Sequence, residues 1–384
     1  MRFPGFTDEW KKTTLGNECE IQMCKRILAQ QTNPNNGVPF FKIGTIGGNP
    51  DAYISLDLFK QFKEKYNYPQ QGEILISCAG TVGKCVRFDG APAYFQDSNI
   101  VWPRNYERTY TNDYLFYILS KQDWRHLNTT TIVRIYNDDL RSVKFSYPSI
   151  EEQKKITRLL SIVDERIETQ NKIIEDLKKL KSAISKSLLS RTDLLERKIS
   201  IYEIGSLKNG YAFQSSSYNP TGVYEILTIA NVTGDRYICT SGCSRILTKP
   251  SDLQSHQELK KNDILISMTG NVGRVSLCKD GKYLLNQRVG LLKVNPDINT
   301  EFVYQALSSL NFEKTMISCS QGAAQMNIGK GDIENYMLPY SDNPNNLHKI
   351  AELLYSYDGQ IDIEEKTLQL LNQQKVHLLT SMFI

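Results

Sequence analysis

The stretch GEILISCAGTVGKCVRFDG at residues 72–90 returns as NDILISMTGNVGRVSLCKDG at 262–281. Ile74 to Ser77 match Ile264 to Ser267, Gly80 matches Gly270, Val82 and Gly83 match Val272 and Gly273, and Lys84 is answered by Arg274. Each copy reads as strand, glycine turn, strand, because Gly80 and Gly83 permit backbone angles that other residues resist. The repeat length, about 190 residues, is half of the 384-residue chain, so whole domains are duplicated. NDYLFYILS at 112–120 has the shape of TEFVYQALS at 300–308, and GTIGG at 44–48 resembles LTIANVTG at 227–234.

Each half ends in a different texture. Residues 151–190 are almost free of Pro and Gly and keep a heptad seam of Ile156, Leu160, Val163, Ile167, Gln170, Ile174, Leu177, Lys181, Ile184 and Leu188. Adding 194 gives the second seam, Ile350, Leu354, Tyr357, Ile361, Glu364, Leu368, Leu371, Lys375, Leu378 and Met382, with polar residues at the same two steps. Two helices of about 40 residues, each about 60 Å long, can pair along these faces as a coiled coil; two independent surface helices are the alternative. Pro148, Ser149, Glu151 and Glu152 mark the first start, whereas three extra residues lie between Pro339 and Ile350 at the second.

Outside the helices, Tyr, Phe, Val and Ile interrupted by Gly, Asn and Pro predict curved strands, with helices at 112–124 and 300–312. The expected fold class is α+β: two similar mixed α/β domains, 1–147 and 197–344, separated and joined by long helices at 148–196 and 345–384. The helices are expected to form an antiparallel coiled coil, from which pseudo-two-fold symmetry follows.

Composition narrows the function. Hydrophobic residues make up 40% and charged residues 23%, and the net charge of +4 describes neither a disordered tail nor a polycation. Apolar runs such as ILIS fall far short of the roughly 20 residues that span a bilayer, and MRFPGFTDEW has no apolar signal core, so a cytoplasmic protein is expected. The eight cysteines form no C-x-x-C pair and the four histidines are scattered, so no metal site and free, reduced thiols are expected.

Catalytic motifs are missing: CAGTVGKC has Cys78 and Cys85 where a P-loop needs Gly and Ser or Thr, and no G-x-S-x-G, H-E-x-x-H or G-x-G-x-x-G is found. The target-base tetrapeptide of amino-methyltransferases, N/D-P-P-Y/F, is also absent. The chain is therefore expected to be non-catalytic. Both domains are mildly basic, +3 over 1–150 and +2 over 197–344. Lys84, Arg87, Lys121, Arg125, Arg134, Arg274 and Arg288 stand near glycine turns and aromatics, where they can contact phosphate or guanine, and Gln96, Gln287, Gln321 and Gln325 carry amides suited to adenine. Such residues otherwise touch only water.

The opening RFPGFTDEW at 2–10, the paired ILISCAGTVGK and ILISMTGNVGR, the NQ at 286–287 and PSIEEQKKI at 148–156 together resemble the specificity subunit of type I restriction-modification systems, over essentially the whole chain. The resemblance implies two target recognition domains, each gripping half of a bipartite, asymmetric site in double-stranded DNA, with the helices as spacer and docking platform. It implies two modification subunits that methylate adenine N6 and restriction subunits that translocate and cut. S-adenosylmethionine, ATP and Mg then act on those partners, and this chain holds no cofactor. NTTTIVRI at 128–135 departs from the family pattern by lacking the Gly and Gln of QGAAQMNI at 321–328, and the second helix lacks the EEQ start. The rival expectation is a pseudo-symmetric scaffold for protein partners that reads no DNA sequence.

Overall fold

The computed structural model describes residues 2–106, 108–124, 134–320 and 326–383. The chain divides into two compact units, Met1–Thr169 with Leu368–Ile384, and Gln170–Thr367. Each unit holds one globular domain and a share of both long helices.

The duplicated stretch builds the same sheet twice. In the first unit the order is Glu20–Met23, Ile100–Arg104, Ile74–Ser77, Cys85–Arg87, and in the second Gly205–Asn209, Val289–Val294, Ile264–Ser267, Val275–Leu277. All neighbours are antiparallel. Both ILIS strands are wholly buried, which is why they read as continuous apolar runs rather than alternating ones. A second sheet in each unit contains a parallel pair, Phe40 opposite Tyr94 and Glu225 opposite Tyr283.

Between the repeated strands the turn is tied by a residue that is buried and identical in both copies. The Ser77 hydroxyl donates to the Thr81 carbonyl and accepts from the Lys84 amide at 3.1 Å; Ser267 does the same with Asn271 and with Arg274 at 3.2 Å. Gly83 and Gly273 donate to the Ser77 and Ser267 carbonyls at 2.8 and 2.9 Å. Gly80, Gly83, Gly270 and Gly273 all have positive φ, between 67° and 79°.

A two-stranded ribbon leads into each long helix. Lys11–Thr14 pairs with Lys144–Tyr147 before the helix Ile150–Leu189, and Arg197–Ser200 pairs with Met337–Tyr340 before the helix Pro344–Met382. At the first start Arg2 makes a fork onto the buried Glu152 carboxylate at 3.0 and 2.7 Å, so the RFPGF segment docks on the first helical turn.

The two helical seams meet. In the first unit Leu378, Met382 and Phe383 share one core with Ile156, Leu160 and Val163. In the second, Ile184 and Leu188 pack with Ile350 and Leu354. Between Gln170 and Ile184 the partners run backward from Glu364 to Ile350, so the pairing is antiparallel. The polar steps are satisfied across it. Gln170 donates to the Glu364 carbonyl at 3.1 Å and to its carboxylate; Lys181 meets Asp358 at 2.5 Å and Lys375 meets Asp164 at 2.6 Å.

Two expected helices have different ends. The helix expected over 112–124 spans Asn112–Ser120, and that over 300–312 spans Thr300–Leu307, where Ser308 and Ser309 interrupt it before a second helix, Leu310–Cys319. Serine side chains compete for backbone hydrogen bonds, and the Ser308 hydroxyl donates to the Gln305 carbonyl at 3.2 Å.

Candidate nucleic-acid interface

In each unit the glycine turn sits among three other loops. In the first, the Cys78 amide donates to the Asn99 carbonyl at 2.7 Å and the Cys78 carbonyl accepts from Ile135 at 2.9 Å. The Lys84 ammonium donates to the Ile46 carbonyl at 2.6 Å, joining the 42–48 turn to the cluster. In the second, Met268 donates to the Arg288 carbonyl at 3.1 Å and accepts from Ile328 at 2.9 Å. Gly270 donates to the Met326 carbonyl at 2.9 Å, and the Thr269 hydroxyl donates to Asn327 Oδ1 at 2.9 Å. Loops 42–48, 78–83, 96–99 and 134–135 thus correspond to 228–234, 268–273, 286–288 and 326–328. Main-chain bonds hold most of each cluster, with Lys84 in the first and Thr269 with Asn327 in the second adding side-chain ties, which leaves the other loop side chains free to vary.

They do vary. Between Phe95 and Ile100 the first unit has Gln96, Asp97, Ser98 and Asn99, where the second has Asn286, Gln287 and Arg288 between Leu285 and Val289. Ser98 absorbs the extra residue with φ 50°. Asp97 accepts from Arg26 Nε at 2.8 Å, whereas the exposed Arg288 side chain has no polar partner among the described residues.

The candidate basic residues divide by place. Lys84, Arg134, Arg274 and Arg288 lie in or beside the loop clusters. Arg134 has its guanidinium 5.8 Å from the Tyr136 ring, and Arg274 approaches Glu313 at 3.6 Å. Arg87 and Lys121 face their own domain instead. Arg87 bonds Asp113 at 2.9 Å and stacks 3.7 Å over Phe116. Lys121 lies 5.0 Å over the Phe383 ring and 3.4 Å from its carbonyl, where burial pulls its pKa below the usual lysine value. The Gln96 side chain accepts from the Ile43 amide at 3.4 Å, and Gln287 is exposed. Arg125, Gln321 and Gln325 lie outside the described residues.

Among the helix-seam residues, Ile156, Leu160, Val163, Ile174, Ile350, Leu354, Ile361 and Leu378 are buried, and Ile167, Leu177, Ile184, Tyr357, Leu368 and Leu371 are partly buried. All eight cysteines are free; burial pushes Cys19 and Cys243 up to about 11, and Cys24, Cys78, Cys85 and Cys278 to about 12, so these six thiols stay protonated. Among the described residues no His, Cys, Asp and Glu group is arranged to hold a metal, and no helix is long and apolar enough to cross a membrane. Sequence reasoning missed Ser77 and Ser267, although their identity in the two copies was a signal. It also missed Arg236, which bonds Glu301 at 2.7 Å and Asp358 at 2.9 Å, 65 and 122 residues away in the chain.

The comparisons agree with this duplicated geometry. The family model described as the type I restriction modification DNA specificity domain matches residues 7–179 and again 197–373. A putative type I restriction enzyme specificity subunit of Haemophilus influenzae, S.HindORF215P, is 47% identical over 171 residues, 44% of each chain. The putative MjaX specificity subunit of Methanocaldococcus jannaschii is 25% identical over 418 aligned positions, covering 96% of this chain and 94% of that one. In fold, the crystal structure of the S subunit of a type I restriction-modification system from M. genitalium superposes with TM-score 0.58 at 19% identity, covering 100% of this chain and 97% of that one. With both halves matched by the family model, on two copies of one recognition fold and a shared helix pair, the chain belongs to the DNA specificity subunits of type I restriction-modification systems.

Proposed function

We propose that the two loop clusters are the DNA-reading surfaces, each contacting one half of a bipartite, asymmetric site. The chain then directs partner modification subunits to methylate adenine N6 with S-adenosylmethionine, and restriction subunits to cut in an ATP- and Mg-dependent reaction. The observation that carries this reading is the repetition of one loop cluster, tied largely by main-chain bonds around the same glycine turn, with different side chains on each copy. A shared frame with divergent loops is what a reader of two unlike half-sites needs, since phosphate contacts position and base-edge contacts specify.

Lys84, Arg134 and Arg274 serve the frame and adjacent phosphates, Arg288 and Gln287 project from the second cluster toward base edges, and Arg125, Gln321 and Gln325 are proposed as further DNA contacts from their sequence alone. Arg87 and Lys121 contact DNA only at the margin of the first. The seam residues hold the helix pair. The domain scheme of 1–147, 148–196, 197–344 and 345–384 describes the functional parts.

The test is binding and methylation by the complex of this chain with its modification subunit. Arg288→Ala is expected to relax the preference at one base position in one half-site, at a cost of about 1–3 kcal/mol. A motif unchanged at every position refutes the assignment of Arg288.

A further inference from the structure

The polar interruptions of the helical seams continue into the recognition domains. Asp164 and Asp358 occupy equivalent positions, 194 residues apart. Asp164 accepts from Lys375 at 2.6 Å on one oxygen and from the Tyr117 hydroxyl at 2.7 Å on the other. Asp358 accepts from Lys181 at 2.5 Å on one oxygen and from the Gln305 amide at 2.7 Å on the other. Tyr117 and Gln305 are themselves equivalent, on the matching helices Asn112–Ser120 and Thr300–Leu307. In both units a single carboxylate thus receives one donor from the opposite long helix and one from the globular domain.

The second unit adds a cation. Arg236 makes a two-pronged bond to Glu301 at 2.7 Å on each oxygen and reaches Asp358 at 2.9 Å. Its guanidinium lies 5.0 Å from the Tyr304 ring and 4.7 Å from Tyr355, a residue of the long helix. The side chain is 13% exposed and Asp358 7%. Burial lowers the Arg236 pKa, but the bonds to Glu301 outweigh it and the net shift is upward, so the group stays charged. In the first unit Asp113, equivalent to Glu301, is paired with Arg87. There the domain donates to Asp164 through the neutral Tyr117 hydroxyl.

We propose that Tyr117 and Arg236 are positioning residues that fix the seating of each recognition domain on the helix pair, and through it the length of the gap between half-sites. The inference rests on the reading of the chain as a two-site DNA reader. Each carboxylate is held on the helix pair by its lysine and offers its other oxygen to the domain, so sliding the domain by one helical residue breaks the Tyr117 bond in the first unit and the Arg236 and Gln305 bonds in the second, leaving buried polar groups unmatched. Apolar contacts alone permit small shifts at lower cost. Arg236 satisfies a carboxylate on the domain and one on the helix together, so the second domain is held more tightly than the first.

The experiment uses the full chain assembled with its modification subunit. The methylated motif of the wild-type complex is mapped first, then methylation is measured on duplexes with both half-sites fixed and the gap lengthened or shortened by one base pair. Arg236→Met is expected to raise methylation of the altered gaps at least about tenfold relative to the native gap, the equivalent of roughly 1.4 kcal/mol of seating energy. The half-site bases should remain unchanged, Tyr117→Phe should have a smaller effect, and Arg236→Lys should partly restore the native gap. A merely structural role would lower all substrates together. If Arg236→Met does not fold, Arg236→Gln, which keeps a polar side chain but loses the charge and the two-pronged bond to Glu301, carries the same expectation. A folded variant that keeps the native gap preference overturns the proposal. A wild-type complex that methylates no bipartite motif overturns the underlying reading instead.

Discussion

Replacing each of the four turn glycines with alanine separates backbone strain from steric overlap, because the four share a positive φ but face different neighbours. A methyl at Gly270 meets Ile229 Cδ1 at 3.5 Å, an ordinary contact, and at Gly80 it meets Ile43 Cδ1 at 3.1 Å, the movable end of a side chain. These variants carry little beyond the left-handed backbone cost, about 1–2 kcal/mol. At Gly83 the methyl overlaps Trp124 Cδ1 and lies 2.5 Å from Nε1, and at Gly273 it lies 2.7 Å from Met316 Cβ and 3.2 Å from the Glu313 backbone. Neither the indole nor the helix carrying Met316 can yield freely, so overpacking adds about 1–3 kcal/mol. Urea denaturation should therefore rank Gly83→Ala and Gly273→Ala as clearly worse than Gly80→Ala and Gly270→Ala. The chain's three tryptophans, Trp10, Trp102 and Trp124, all lie in the first unit, so their emission isolates that unit's transition. Combining Gly83→Ala with Trp124→Leu should recover much of the steric part. Equal costs at all four positions, or no coupling to Trp124, would refute the steric argument.

Lys181 and Lys375 are equivalent but differently buried, with side chains 16% and 30% exposed. Lys181→Met should cost about 1.5–3 kcal/mol because it removes a charge-assisted bond from the buried Asp358, which keeps Arg236 and Gln305, and Lys375→Met about 1 or less, as for a more exposed pair; equal losses in denaturation would contradict this. Burial raises the Glu18 pKa, but bonds from Thr13 and Thr109 and the Lys11 charge outweigh it, leaving it below 4.5. Its stabilisation is present above the unfolded value and lost as pH falls through the folded one, so Glu18→Gln should flatten the acid limb of first-unit stability below pH 4.5. Parallel acid limbs for the two proteins would rule that out. Gly359 lies exposed inside the second long helix with nothing near its missing Cβ, so Gly359→Ala should stabilise by about 0.5–1 kcal/mol and raise the melting temperature. A lowered melting temperature would show that the glycine serves a purpose other than helix propensity.

The parts legible in the sequence are those with a local period or a local repeat. Ile156 through Met382 could be assigned to two seams because each heptad repeats its own spacing, and the glycine turns because Gly, Val, Gly and a basic residue recur in order. The coincidence of Gln170 with Glu364 and of Lys181 with Lys375 even located the polar steps. Their partners Asp164 and Asp358 were not assigned, because an acidic residue one step off the seam looks like solvated surface until the opposite helix is in place. Arg236 is further still from legibility: it joins Glu301 and Asp358 across 65 and 122 residues of chain. Arg87 and Lys121 illustrate the converse. Their nearness to aromatics in sequence points to nucleic-acid contact, but the sequence does not show that Phe116 and Phe383 of the same unit lie under these cations, which is what places them at the margin of the proposed surface. The break at Ser308 and Ser309 was obscured because apolar residues continue with helical spacing on both sides.

The most direct test of the chain as a two-site DNA reader is a genome-wide map of N6-methyladenine in cells that make it with its modification subunit and in cells that make the subunit alone. The account predicts one new motif in the first cells only, made of two unlike half-sites separated by a gap of fixed length. A continuous motif, or no difference between the two cell types when the same modification subunit is active with another specificity subunit, would contradict it.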